Sequence, residues 1–333
     1  MKNLFIALFL FSLFGCEEST NSVLVKNTGR TQGSFYHIQY LSKDGKNYIH
    51  QIDSILLEID SSLSIYKSYS LISRLNYYQE VITDTMFNEV YNAAQKIYFE
   101  TDGNFDCSVY PLLEEWGFYR DVMGDSTVID SSIFQDILPM IGFDKISLLK
   151  DSLFLPDGMK IDFNALAQGY SVDVIGRFLE KKGGANYLIE IGGEILAKGR
   201  NADGDIWRIG IEKPVDTIDF YQRFQIILEL ENKALATSGN YRKFFEKDGV
   251  KYSHTINPFT GFPSYNRLLS VSVIYDNCML ADAYATAFMV MGVQKTKSFL
   301  AKNTDIDAYL IYTDNNGQWK TYISPELIKR IIN

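Results

Sequence analysis

The sequence predicts an α+β fold, a single domain in which a mixed or mostly antiparallel sheet is packed by helices. Apolar residues recur at helical spacing in three segments, and extended runs rich in β-branched and aromatic residues fill much of the second half. These runs often follow one another directly, whereas a doubly wound parallel sheet would alternate them with helices. The first helix is expected over residues 48–59, where Ile49, Ile52, Ile55, Leu56 and Ile59 share a face. Phe87, Val90, Tyr91, Ala94, Ile97 and Tyr98 repeat that spacing ahead of Gly103. A third helix runs over about 164–182, with Leu166, Tyr170, Val174, Ile175, Phe178 and Leu179 on one side, Gly183 placed to stop it and Asp162 just upstream. Strands are expected at 187–191, 207–211, 224–230, 268–275 and 308–312, mostly separated by Gly, Asn or Asp.

Composition narrows the class. The 333 residues are 46% hydrophobic, 22% charged and 14% aromatic, which excludes a disordered, collagenous or coiled-coil chain. With 41 acidic against 32 basic residues the net charge is −9, which argues against any general attraction to nucleic acid or anionic lipid. A phosphorylated ligand would need a bound cation or backbone N–H groups to supply local positive potential. Three cysteines are too few for a disulfide scaffold, and whether Cys107 and Cys278 pair stays open.

Residues 1–15 read as a signal peptide: a basic start at Lys2, then an apolar run from Leu4 to Phe14 too short to span a bilayer. The string Leu13-Phe14-Gly15-Cys16 resembles the bacterial lipoprotein box, which implies lipidation of Cys16, a tether over 16–24 and a domain over 25–333 anchored to a bacterial membrane on its extracytoplasmic, periplasmic side. An ordinary cleaved signal beside a chance cysteine is the alternative.

Polar residues interrupt the predicted elements in clusters. Thr31-Gln32-Gly33-Ser34-Phe35 opens the domain, and Ser64-Ile65-Tyr66 follows the first helix. Gly103-Asn104-Phe105-Asp106, Asp162 through Tyr170, Ile191-Gly192-Gly193-Glu194, Ala236 through Tyr241, His254 through Gly261, and Ala281 through Ala287 come after. Each string is weak alone. Jointly, and in this order from about Thr31 to Gly292, they resemble the ApbE family, whose members transfer FMN from FAD onto a threonine of a partner protein. The resemblance implies an ApbE-like, T-fold-related core. No Gly-x-Gly-x-x-Gly follows a strand, so FAD is expected to be held without a Rossmann fingerprint.

Asp282 and Thr286 are four apart in a segment of helical composition, which sets their oxygens on one face about a turn apart. Such hard ligands suit Mg²⁺, with waters and substrate phosphates completing the shell. The resemblance adds the carbonyl of Ala165 as a third ligand. Without it, Asp282 would read as a helix N-cap and Thr286 as a hydroxyl bonded back to its own helix. His254, one of three histidines, stands where the family has its base, and a threonine hydroxyl needs one; a structural histidine is the other reading. By the same resemblance Gln32, Tyr66, Asn104, Phe105, Asp106, Asp162, Gln168 and Ile256 match cofactor-contacting positions, with Tyr66 suited to stack on a flavin ring. Trp116 is expected in the core. Gly192-Gly193 and Ser238-Gly239 serve equally as turns or as points of close backbone approach. Gln168 stands where the family commonly has lysine, and Gln32 where methionine is usual; the first change removes a charge near the pyrophosphate. The implied reaction is FMN transfer with release of AMP, with FAD and Mg²⁺ required and flavin-accepting subunits of Rnf or sodium-pumping NADH:quinone reductase type as partners. FAD hydrolysis to FMN and AMP, or FAD carriage without chemistry, are the alternatives.

Overall fold

The computed structural model describes residues 22–78, 82–119, 133–214, 223–240 and 255–332 in full, and residues 244–247 and 250–253 by their backbone. Cys16, with the rest of residues 1–21, and His254 lie outside the described residues. The domain begins with a hairpin of β1 (Val23–Thr31) and β2 (Ser34–Ser42). The polar cluster at Thr31–Phe35 is its turn: Gln32 and Gly33 have φ of 49° and 71°, as a two-residue turn matching the twist of the strands requires. The first predicted helix is α1 (Ile49–Leu63), followed by the short α2 (Leu71–Tyr78). The second is α3 (Thr85–Glu100), opened by Asp84, whose carboxylate accepts the Phe87 N–H at 2.7 Å.

Short elements follow: α4 (Tyr110–Glu115), α5 (Ile133–Ile137), β3 (Ser147–Leu149) and β4 (Ser152–Phe154). The third predicted helix is α6 (Asn164–Lys181), and Gly183 ends it with φ 83°. Next come β5 (Tyr187–Ile191), β6 (Glu194–Lys198), β7 (Trp207–Glu212), β8 (Phe224–Leu230), β9 (Lys233–Gly239), β10 (Phe244–Lys247), β11 (Val250–Ser253) and β12 (Leu268–Tyr275). The chain closes with α7 (Cys278–Leu300), β13 (Asp307–Thr313), β14 (Trp319–Ile323) and α8 (Pro325–Ile328).

Eight strands form one sheet in the order β1-β2-β5-β6-β9-β12-β13-β14, and every neighbouring pair is antiparallel. The expected choice between mixed and antiparallel therefore resolves to antiparallel. β7 and β8 are strands as predicted, but they pair with each other outside that sheet. Side-chain alternation explains the layers. Ala234, Ala236, Val271, Val273, Ala308 and Leu310 face α6 and α7, while Leu235, Ile274, Tyr309 and Ile311 pack against β7, β8 and Leu327 of α8. The central strands are buried on both faces, so they read as nearly continuous apolar runs.

Two details of α7 matter for the site. Its N-cap is Asn277, whose side chain accepts the Leu280 N–H at 2.9 Å, and Asp173 of α6 accepts the Cys278 and Met279 N–H groups, each at 2.9 Å. Farther along, Gly292 breaks the helix with φ 71°, and the Asn266 amide donates to the Met289 carbonyl at 2.7 Å beside the break. Cys107 and Cys278 are free, buried thiols, which answers the pairing question; burial pushes both well above the usual thiol range. No helix among the described residues is long and apolar enough to cross a membrane.

Candidate active site

The local elements deliver their polar residues to one place. The β1–β2 turn, the β5–β6 turn, the end of β9, the first turns of α6 and α7, the loops after α1 and α3, and the β7–β8 hairpin together border a cleft of about 1330 Å³. That exceeds the roughly 300–1,000 Å³ typical of pockets for single drug-sized ligands. Gln32, Tyr66, Asn104, Phe105, Asp106, Asp162, Ala165, Gln168, Ile256, Asp282 and Thr286 all line it. Of the expected site residues only His254 and Cys16 lie outside the described chain.

Asp282 and Thr286 sit inside α7, on the turn beyond its cap. Asn277 occupies the N-cap, so the reading of Asp282 as a capping residue is wrong. Asp282 is buried, and the Gly169 N–H approaches its Oδ2 at 3.4 Å. In a regular helix that N–H is aimed at the carbonyl four residues earlier, Ala165. Ala165 and Asp282 thus stand on facing turns of α6 and α7, both lining the cleft. The approach depends on glycine: a Cβ at Gly169 would lie 2.5 Å from the Cys278 carbonyl oxygen and 2.8 Å from the Met279 Cα. Ser238 Oγ is 3.3 Å from Thr286 Oγ1, adding a hydroxyl from β9. Among the described residues no three His, Cys, Asp or Glu side chains cluster as a metal cage. The oxygen set is one carboxylate, hydroxyls and a carbonyl, which fits a hard cation that keeps waters or takes phosphate oxygens, as Mg²⁺ does.

The lining is acidic. Asp60, Asp106, Asp162, Glu190, Glu194, Glu212 and Asp282 face Lys67, Arg208 and Arg223. Phosphates entering this cleft therefore call for a cation. Asp162 is buried and accepts from the Asn164 N–H at 2.7 Å and from the Tyr119 hydroxyl; burial pushes its pKa up to about 6, against those hydrogen bonds. Asp106 also lines the cleft, but its oxygens accept from the Ser108 N–H and hydroxyl and the Phe143 N–H, so it braces its own loop. Asn104 likewise donates to the Thr101 carbonyl at 2.7 Å. Tyr66 is 67% exposed, with its ring edge-on to Tyr119 at 6.0 Å and its hydroxyl 3.3 Å from the Asn164 amide.

Gln32 and Gln168 meet. The Gln168 amide approaches the Gln32 carbonyl at 3.5 Å and lies where a Cβ on Gly192 would be, 2.8 Å away. Gly192 and Gly193 are the β5–β6 turn, with φ of 67° and 113°, and border the cleft as well, so both readings of that pair hold. The Gln32 amide nitrogen donates to Ser171 Oγ at 2.6 Å, whereas its Oε1 is buried with no partner. A buried acceptor facing a cleft awaits a donor from a ligand. Trp116 is core, stacked on Phe134 and donating to the Gly261 carbonyl. Sequence reasoning marked Ser238-Gly239 only as a turn or close backbone approach and missed Tyr119 and the β7–β8 wall, because contacts 43 residues apart, such as Tyr119–Asp162, leave no local signal.

Comparison with known proteins agrees with this arrangement. The sequence profile described as the ApbE family matches residues 32–310. A Vibrio cholerae protein named FAD:protein FMN transferase is 36% identical over 334 residues, covering 97% of each chain, and one of that name from Haemophilus influenzae is 32% identical over 92% of this chain and 91% of its own. The solved flavin transferase ApbE from Vibrio cholerae superposes with a TM-score of 0.82 at 34% identity, over 93% of this chain and 99% of its own. The apo flavinyl transferase ApbE of Pseudomonas stutzeri gives 0.82 at 33%, over 92% and 97%. Profile, full-length relatives and superposed folds agree, and the chain belongs to the ApbE family.

Proposed function

We propose that this chain is an FAD:protein FMN transferase, Mg²⁺-dependent and acting on a threonine hydroxyl of a partner protein with release of AMP. The observation that supports it is an acidic cleft large enough for a dinucleotide, lined by Asp282, Thr286 and Ala165 together. Asp282, Thr286 and Ala165 would hold the metal. Bound there, it would offset the pyrophosphate charge that neither Gln168 nor the acidic lining can offset.

The protein's own groups do the remaining work. The exposed Tyr66 ring offers a face to the flavin, and the unpartnered Gln32 Oε1 accepts a hydrogen bond from the ligand. The N-terminal end of α6, which borders the cleft at Asn164 and Ala165, adds the positive end of its helix dipole beside the phosphates. His254 takes the proton of the acceptor hydroxyl as its oxygen forms a bond to the FMN-side phosphorus. The P–O–P bridge breaks, AMP leaves, and FMN stays on the acceptor as a phosphoester. Catalysis comes mainly from positioning and charge neutralisation. Fitting acceptors are flavin-accepting subunits of Rnf or sodium-pumping NADH:quinone reductase type, and lipidated Cys16 would hold the enzyme on their membrane.

The test is incubation of the chain with FAD, Mg²⁺ and such an acceptor domain, followed by intact mass and chromatography. An acceptor heavier by one FMN, with equimolar AMP, is the expected result. AMP and free FMN beside an unmodified acceptor would replace transfer by hydrolysis; bound FAD without AMP would make the chain a carrier.

A further inference from the structure

The side of β7 that faces away from β8 is uncovered among the described residues and borders the cleft. β7 pairs with β8 alone, and Arg208, Gly210 and Glu212 all line the cleft. The outer side of β8 is taken by the C-terminal segment. The Glu229 N–H donates to the Arg330 carbonyl at 2.8 Å, the Ile332 N–H donates to the Ile227 carbonyl at 3.0 Å, and Leu228 bridges to Ile331.

These bonds fix which way the groups of β7 point. In an antiparallel ladder two facing residues direct their N–H and C=O groups either both toward each other or both away. Glu229 and Ile227 direct theirs away, toward the C-terminal segment, and their partners across the ladder are Arg208 and Gly210. The backbone groups of Arg208 and Gly210 therefore point out of the uncovered side. The side chains agree: Trp207, Ile209 and Ile211 are buried in the core, while Arg208 is exposed and no carboxylate among the described residues pairs with it. Open strand edges are usually blocked by proline or inward charge; β7 carries no proline, and the place of a side chain at Gly210 is taken by the Phe224 ring of β8.

We propose that this edge of β7 receives the acceptor protein, an extended acceptor segment adding beside Arg208 and Gly210 as a third strand and carrying its hydroxyl residue into the cleft. The inference rests on the transferase reading above. The second substrate of that reaction is a polypeptide, and the backbone ladder is the feature that any extended polypeptide presents whatever its side chains. Steps of about 3.4 Å per residue let the added strand set its hydroxyl in register along the cleft.

Two substitutions at one position separate backbone from side chain. Arg208→Pro removes an outward N–H without touching the β7–β8 ladder, and Arg208→Ala keeps that N–H. With the acceptor domain described above and saturating FAD and Mg²⁺, Arg208→Pro is expected to raise the KM for acceptor about tenfold, against at most about twofold for Arg208→Ala, while half-saturation by FAD is the same in the two variants, which lose the same cleft charge. In parallel, the Arg208 and Gly210 amides of the unaltered chain should exchange with deuterium more slowly once an acceptor bearing alanine for its threonine is bound. A normal KM in Arg208→Pro, an equal loss in both variants, or unchanged amide exchange with acceptor bound overturns strand addition while leaving the transferase reading intact. A concentration-dependent dimer dissolved by Arg208→Pro reassigns the edge to a second copy of the chain and also overturns it. An unaltered chain that modifies no acceptor overturns the transferase reading and this inference together.

Discussion

Asp106 shows how a residue beside the cleft can serve the fold more than the chemistry. Burial pushes its carboxyl up to about 6, although three hydrogen bonds favour the charged form. A carboxyl whose folded pKa is raised holds its proton longer in the folded state, so its contribution to stability is largest below the unfolded value near 4 and is lost as pH rises through 6. Between pH 7.5 and 5 it should add about 1.4 kcal/mol. Urea unfolding at the two pH values should show that gain smaller by about 1.4 kcal/mol in Asp106→Asn. Asp282 differs, because its buried carboxylate lines the cleft beside Thr286 and is approached by the Gly169 N–H of α6. Asp282→Ala should retain the cooperative thermal transition yet lose transfer about 100-fold or more, with partial recovery at raised Mg²⁺. The pairing of Asp282 with Thr286 was legible in the sequence, because four residues along a helix is one turn. The approach of Ala165 was not readable from spacing, since it depends on how two helices cross.

At the scale of elements, helices were read closely and strand partnership was not. The apolar stripes of α1, α3 and α6 and the stop at Gly183 follow from local periodicity. Period-two runs at β7 and β8 announce strands equally well whichever sheet they join, so their departure from the main sheet carried no signature. The polar, alternating β1 and β2 escaped notice because one side of that outer hairpin faces solvent. The junction of α6 with α7 is where element packing becomes chemistry. Gly169 lets the helices touch, and Asp173 ties α6 to the first N–H groups of α7. Gly169→Ala forces a methyl against the Cys278 carbonyl, and it should cost about 3 kcal/mol in chemical unfolding while weakening Mg²⁺-dependent FAD binding.

The whole molecule has three layers: helices, an antiparallel sheet, and a smaller layer of β7, β8 and α8. The direct succession of strands signalled the antiparallel sheet, whereas the third layer arises from burial on both faces, which no single strand records. The proposed lipid anchor at Cys16 is tested on the full chain. Cys16→Ser is expected to move the protein from the membrane fraction to the soluble fraction and to abolish incorporation of labelled palmitate, with transfer to a soluble acceptor unaltered.

The break at Gly292 bears on how strain passes through the molecule. A continuous helix transmits torque along its axis, but α7 is interrupted soon after Thr286, with Asn266 clamped beside the joint. Twisting of the half that runs to Leu300, or of the strands that follow it, is absorbed at that swivel. The oxygen-bearing half keeps its angle to α6, which makes the stretch of α7 beyond Gly292 the part that can take up mechanical load without detuning the cleft.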